Sequence, residues 1–225
     1  MVEPIEQYVS LRGRVEATTI RSGRNPQDVQ LLAVSKRQSA SAVRQLASFG
    51  QRCFGENYVQ EAQAKIIELA ELNLEWQFIG QLQSNKTPIV ARLFDWVHSV
   101  DRLKVAQKLN DQRPDSATPI NVCVEVNLSG EASKGGLAPD EIPGFIDSLA
   151  GLERLAVRGL MALPAPISDV AGQRDAFRRL HDLLQAIDRS DVSALSMGTS
   201  NDFEAAILEG ATIVRIGTAL FGPRD

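Results

Sequence analysis

Leu31-Leu32-Ala33-Val34-Ser35-Lys36 is the stretch whose reading decides the fold. Its apolar residues are continuous rather than alternating, the pattern of a parallel strand covered on both faces. The same texture recurs in Val122-Cys123-Val124-Glu125-Val126 and in Ile213-Val214-Arg215-Ile216. Counted outward, strand-like runs fall at 29–36, 52–55, 75–80, 96–100, 120–128, 155–163, 194–198 and 212–217. Helical patterns fill most of the gaps. Ser39 suits an N-cap ahead of Val43 and Leu46, and Pro139-Asp140-Glu141 suits a helix start. Eight strands alternating with helices in 225 residues predict an α/β fold. Its form is a single (β/α)8 TIM barrel of parallel strands over 1–225, with an additional N-terminal helix near 5–22. The rival, a doubly wound open sheet, lacks the Gly-x-Gly-x-x-Gly turn it would place after the first strand.

Composition narrows the function classes. The net charge is −4 and basic residues are dispersed, which argues against a nucleic-acid surface. The N-terminus has neither a basic nor an apolar leader region, and no run has the length of a membrane span, so a cytoplasmic protein is expected. Cys53 and Cys123 read as reduced, packed thiols. His98 and His181 stand apart, so no metal site is expected.

Lys36 gives the barrel a chemistry. A lysine closing an apolar strand is disfavoured as a cation, and burial makes it a better nucleophile, unless it snorkels out at the strand exit. The chain has six lysines; Lys65, Lys104 and Lys108 fall in helical patterns and Lys86 and Lys134 in loops. Functional groups of such barrels gather at the C-terminal ends of strands, where Lys36 lies. At the seventh and eighth strand ends stand Ser196-Met197-Gly198-Thr199-Ser200-Asn201 and Arg215-Ile216-Gly217-Thr218. Small hydroxyl residues, glycines and a helix start suit a phosphate dianion, although Ser200 or Asn201 could equally cap the next helix. Arg215, inside an apolar strand, needs a partner: Glu125 or a ligand atom. A lysine and a phosphate cup in one barrel point to pyridoxal 5′-phosphate, which carries both an aldehyde and a phosphate.

Several segments carry a family resemblance. They are Ala33-Val34-Ser35-Lys36, Phe54-Gly55-Glu56-Asn57-Tyr58-Val59-Gln60-Glu61, Phe78 to Lys86, Gly159-Leu160-Met161-Ala162, Ser196 to Ile207 and Val214 to Gly222. Over nearly its whole length the chain resembles the pyridoxal-phosphate homeostasis proteins (the YggS/PROSC family), relatives of the N-terminal domain of alanine racemase. The resemblance implies a Schiff base on Lys36 and phosphate contacts from Ser196, Ser200, Gly217 and Thr218. It also implies Arg215 at the pyridine nitrogen, with Asn57 and Met161 along the ring. Gln77 and Gln81 depart from the family's usual histidine and proline, and both are expected to bear on the loop after the third strand. The resemblance implies a role in vitamin B6 homeostasis and amino-acid/keto-acid balance, with pyridoxal-phosphate-requiring acceptor enzymes as further partners.

Robust catalysis is not expected. Arginine cannot take a proton from a pyridinium. A racemase also needs a second acid–base group, which in alanine racemase comes from a tyrosine completed by another domain and subunit. The chain ends at Asp225, so no such domain is expected, nor is a dimer; a monomer is. Of its two tyrosines, only Tyr58 falls near the mouth. The alternatives are a weak pyridoxal-phosphate-dependent racemase and a class I aldolase-like sugar-phosphate enzyme, for which Glu56 and Glu125 are the available acids. Lys134, in a glycine-rich loop, either reaches toward the mouth or is solvated.

Overall fold

The computed structural model describes residues 3–131 and 135–222, so Lys134 lies outside the described residues. β1 (Gln30–Val34), β2 (Cys53–Glu56), β3 (Glu75–Phe78), β4 (Trp96–Val100), β5 (Ile120–Glu125), β6 (Leu155–Met161), β7 (Ala194–Ser196) and β8 (Ile213–Ile216) form a closed barrel in chain order. Every pairing is parallel, and Gln30 to Ala33 pair with Ile213 to Ile216 to close it. The chain therefore forms a (β/α)8 TIM barrel, as its continuous apolar runs predict.

The outer ring consists of α2 (Ala40–Ser48), α3 (Val59–Glu68), α4 (Thr87–Leu93), α5 (Leu103–Gln112), α6 (Ile142–Ser148), α7 (Val170–Gln185), α8 (Phe203–Leu208) and α9 (Thr218–Phe221). α1 (Pro4–Arg21) precedes β1 and buries Tyr8, Leu11 and Val15. It is fixed beside α8 and α9 by Gln7 Nε2 donating to Ala219 O at 2.9 Å and by an Arg14–Glu204 ion pair at 3.0 Å. The Ser39 cap is present, accepting from Ala42 N at 3.2 Å. Two helices leave no amphipathic pattern in the sequence. α4 has seven residues and α9 four, too short to show a full amphipathic period.

Six of the eight strands stop short of the C-terminal ends of their apolar runs; β2 and β4 do not. β1 stops at Val34, because Gln38 N turns back to Ser35 O at 3.0 Å and Arg37 adopts φ 62°. Lys36 thus stands on the turn at the barrel mouth, part-buried rather than fully buried within the strand. Among the described residues the buried lysine is Lys65 on α3, 5% exposed although it lies in a polar helical pattern.

Candidate functional site

Residues two apart on a strand share a face, and at the top of the barrel this sets two populations. Val34, Lys36, Asn57, Ile79, Glu125 and Arg215 reach a cavity of about 340 Å³ at the C-terminal end of the strands. Ser35 and Glu56 face the opposite way and contact Lys65 of α3. The far wall is built by Met161 at the end of β6 and Leu163 after it, Thr199, Ser200 and Asn201 after β7, and Gly217 and Thr218 after β8. The volume lies within the range of small-molecule sites.

Of the residues read from the sequence, Lys36, Asn57, Met161, Ser200, Arg215, Gly217 and Thr218 come together on this one cavity. The two expected phosphate loops are joined, Ser200 Oγ accepting from Ala219 N at 3.3 Å. Thr199 N and Oγ both donate to Asp202 Oδ1, at 2.5 and 2.9 Å, which fixes the turn ahead of α8. Gly80 lets the third-strand loop approach the second: a Cβ there would sit 2.3 Å from Asn57 O.

Ser196 stands apart from the other expected phosphate contacts. It is fully buried in the barrel interior and is not on the cavity wall. Its carbonyl accepts from Arg215 Nη1 at 2.5 Å and its Oγ accepts from the same nitrogen at 2.7 Å. Its Oγ also lies 2.7 Å from His98 Nδ1. The reason is register: Ser196 ends β7, and the chain needs Thr199 to Asn201 to climb to the mouth.

Arg215 answers the question of its partner. Its guanidinium is held by Ser196 and, through Nη2, by Ala162 O at 2.9 Å, rather than by a direct bond to Glu125. It is 6% exposed, and burial pulls its pKa down to about 10. Arginine only donates, so the Ser196 hydroxyl accepts from Arg215, and its bond to His98 Nδ1 takes the direction that the imidazole tautomer sets. Burial above all, with Arg215 beside it, pulls the His98 pKa down to about 3, which keeps the imidazole neutral. Its other nitrogen, Nε2, has no hydrogen-bond partner among the described residues. His98 is therefore no isolated core histidine. No sequence signal ties it to Ser196, 98 positions away.

Glu125 is the acid of the cavity. Gln81 Nε2 donates to it at 3.1 Å, so Gln81 stands on the cavity wall. Gln77 instead lies within β3, bonded to Gln30 Oε1 at 2.9 Å, and does not shape the loop. Burial, then Asp101, pushes the Glu125 carboxyl from 4.5 up to about 7 against the pull of Arg215. The folded protein thus holds this proton more tightly than the unfolded chain. That contribution is complete below about pH 4.5 and is lost as pH rises through about 7. Glu125→Gln should stabilise the protein at pH 8, by up to about 3 kcal/mol, and leave it unchanged at pH 4. Equal melting shifts at both pH values would refute the assignment.

Neither tyrosine lines the cavity. Tyr8 is buried in α1, and Tyr58 is 47% exposed with Arg37 stacked 5.9 Å from its ring centroid. Cys53 and Cys123 are free thiols. Among the described residues no helix is long and apolar enough to cross a membrane.

A parallel barrel with a lysine after its first strand and hydroxyl-bearing loops after its last two defines a class. Residues 16–225 match the family described as Alanine racemase, N-terminal domain. The chain is 53% identical over 220 residues to the pyridoxal phosphate homeostasis protein of Pseudomonas aeruginosa, covering 98% of this chain and 95% of that one. It is 47% identical to the Escherichia coli K12 protein of the same name, covering 96% and 94%. The chain belongs to the pyridoxal phosphate homeostasis protein family. PipY of Synechococcus elongatus, solved with pyridoxal phosphate bound, superposes with a TM-score of 0.83 at 35% identity, over 98% of this chain and 100% of that one. Alanine racemase from Corynebacterium glutamicum shares the fold at 18% identity and a TM-score of 0.63, over 98% of this chain and 62% of that one.

Proposed function

We propose that this protein binds pyridoxal 5′-phosphate reversibly through a Schiff base on Lys36. It would serve intracellular vitamin B6 homeostasis, and thereby amino-acid/keto-acid balance, without robust turnover. The observation that carries the reading is the convergence of Lys36, Arg215 and the Ser200, Gly217 and Thr218 loops on one cavity. Asn57 Oδ1, a buried acceptor without a partner among the described residues, adds an unspent contact at the rim. The donor set fits the group: an amine for the aldehyde, hydroxyls and backbone N–H groups for the phosphate, a cation for the ring nitrogen. Bound there, the cofactor would supply an aldehyde carbon and an electron-accepting ring.

Each residue then has a task. Lys36 holds the aldehyde carbon, and Ser200, Gly217 and Thr218 hold the phosphate. Asn57 and Met161 flank the ring. Arg215 presents only donors toward the ring nitrogen and cannot serve there as a proton acceptor. Ser196 acts through Arg215 and not on the phosphate. The protein would work in the cytoplasm as a monomer, delivering cofactor to acceptor enzymes. A weak racemase is the second reading, and Glu125 favours it, since a carboxyl titrating near neutrality on the cavity wall suits proton transfer.

The test is spectroscopic. Protein mixed with pyridoxal phosphate should turn yellow with a visible imine band, and borohydride should fix the cofactor on Lys36. A colourless protein that takes up none would overturn both readings; alanine racemisation at ordinary enzymatic rates would favour the second.

A further inference from the structure

The turn that presents Lys36 is gripped from behind. Ser35 and Arg37, its two neighbours, are each tied to side chains on the helix side of the barrel wall. Lys65 Nζ donates to Ser35 O at 2.6 Å, and Ser35 Oγ donates to Glu56 Oε1 at 2.6 Å. Arg37 N donates to Glu61 Oε1 at 2.5 Å. Lys65 ties the three acceptors together: its Nζ also donates to Glu56 Oε1 at 2.7 Å and to Glu61 Oε1 at 2.6 Å. An ammonium has three protons, so every one is committed.

This arrangement is costly. Glu56 is fully buried, its Oε2 has no partner among the described residues, and burial pushes its carboxyl upward against the pull of Lys65 and Ser35. A buried ion pair of this kind is seldom worth more than well-packed apolar residues. What apolar residues could not supply is the fixed position of the turn. Arg37 holds φ 62°, a region sparsely occupied by residues other than glycine, and persists there because its N–H is anchored.

We infer that Glu56, Glu61 and Lys65 are positioning residues that fix the backbone of residues 35–37 and thereby aim Lys36 into the cavity. They touch no ligand and act through Ser35 and Arg37 alone. The inference rests on the Lys36 tether proposed above. It predicts a division between two ligands that share a ring and a phosphate. Pyridoxal phosphate needs a correctly aimed amine; pyridoxamine phosphate has no aldehyde and does not.

Lys65→Met, Glu61→Gln and the double variant Glu56→Gln/Lys65→Met should be titrated with both ligands, following the imine band for one and fluorescence for the other. The double variant leaves no lone buried charge, and Glu61 is partly exposed, so these two guard against a simple failure of Lys65→Met to fold. Pyridoxal phosphate affinity should fall about 10- to 100-fold in the Lys65 variants, the size of effect a small misplacement of a reacting group produces. Pyridoxamine phosphate affinity should stay within about twofold, less than 0.5 kcal/mol. Folded variants that form the imine band as readily as the parent protein would overturn the inference. So would equal weakening of both ligands, which marks a structural role only. A parent protein that forms no imine band at all overturns the tether reading, and the inference with it.

Discussion

Lys36→Ala should give a protein that folds, shows no imine band with pyridoxal phosphate and yields no cofactor adduct after borohydride. Only the side chain beyond Cβ is lost, and Lys36 stands on a part-buried turn rather than in the core. The Ser35 and Arg37 anchors involve neighbours and remain. Affinity should fall about 100-fold or more, equivalent to about 2.7 kcal/mol, because contacts from Ser200, Gly217 and Thr218 survive while the covalent tether does not. Absorbance titration, with mass spectrometry of the reduced adduct, reads both quantities. Two of the competing lysines among the described residues are poorly placed. Lys65 faces away from the cavity and donates to three acceptors, and Lys108 lies near Ser84 O, at 3.4 Å, on the helix side. Lys86 borders a neighbouring cavity that shares Asn57, Gly80 and Gln81 with the main one. An imine band of undiminished strength in Lys36→Ala would move the tether to another lysine, with Lys86 the first to examine.

Much of this was legible in the sequence because the signals are local. A continuous apolar run states that a strand is covered on both sides, and eight of them in alternation leave few topologies. The residue just past a strand run is near the mouth by construction, which is how Lys36, Ser200, Gly217 and Thr218 could be placed together. The illegible part lies in pairings across the barrel. Lys65 looks like any lysine of a polar helix, since Glu61 at i−4 is the usual solvated partner. Its burial is decided by Glu56 and Ser35, which only closure of β1 beside β2 brings within reach. Ser196 belongs to a glycine- and hydroxyl-rich string, which by itself marks a mouth residue. Where β7 stops within that string is set by its pairing with β6 and β8. His98 carries no local mark at all.

Arg215→Met should separate recognition of the ring from capture of the aldehyde. The guanidinium is fully committed to protein on one side, through Ser196 O, Ser196 Oγ and Ala162 O, and borders the cavity on the other. Two effects on stability oppose each other. Removing the cation relieves the desolvation that drags its pKa down to about 10. It also leaves the Ala162 carbonyl and the Ser196 hydroxyl short of a donor inside the barrel, at about 1–3 kcal/mol for each unsatisfied group. Two orphaned acceptors outweigh a guanidinium that already had hydrogen bonds, so the variant should melt lower but still fold. Binding should weaken about 10- to 100-fold, since a hydrogen bond from a charged donor contributes about 1.5–3 kcal/mol. Both pyridoxal phosphate and pyridoxamine phosphate should weaken, because both present the same ring nitrogen. The imine on Lys36 should still form at high ligand concentration, in contrast to Lys36→Ala. Glu125 supplies an internal check. Arg215 holds its carboxyl down, so without the arginine Glu125 should titrate higher and the fall of stability with pH should move to higher pH. Wild-type affinity for both ligands in a folded Arg215→Met protein would confine the arginine to its bonds with Ser196 and Ala162, and would remove the ring nitrogen from its side of the cavity.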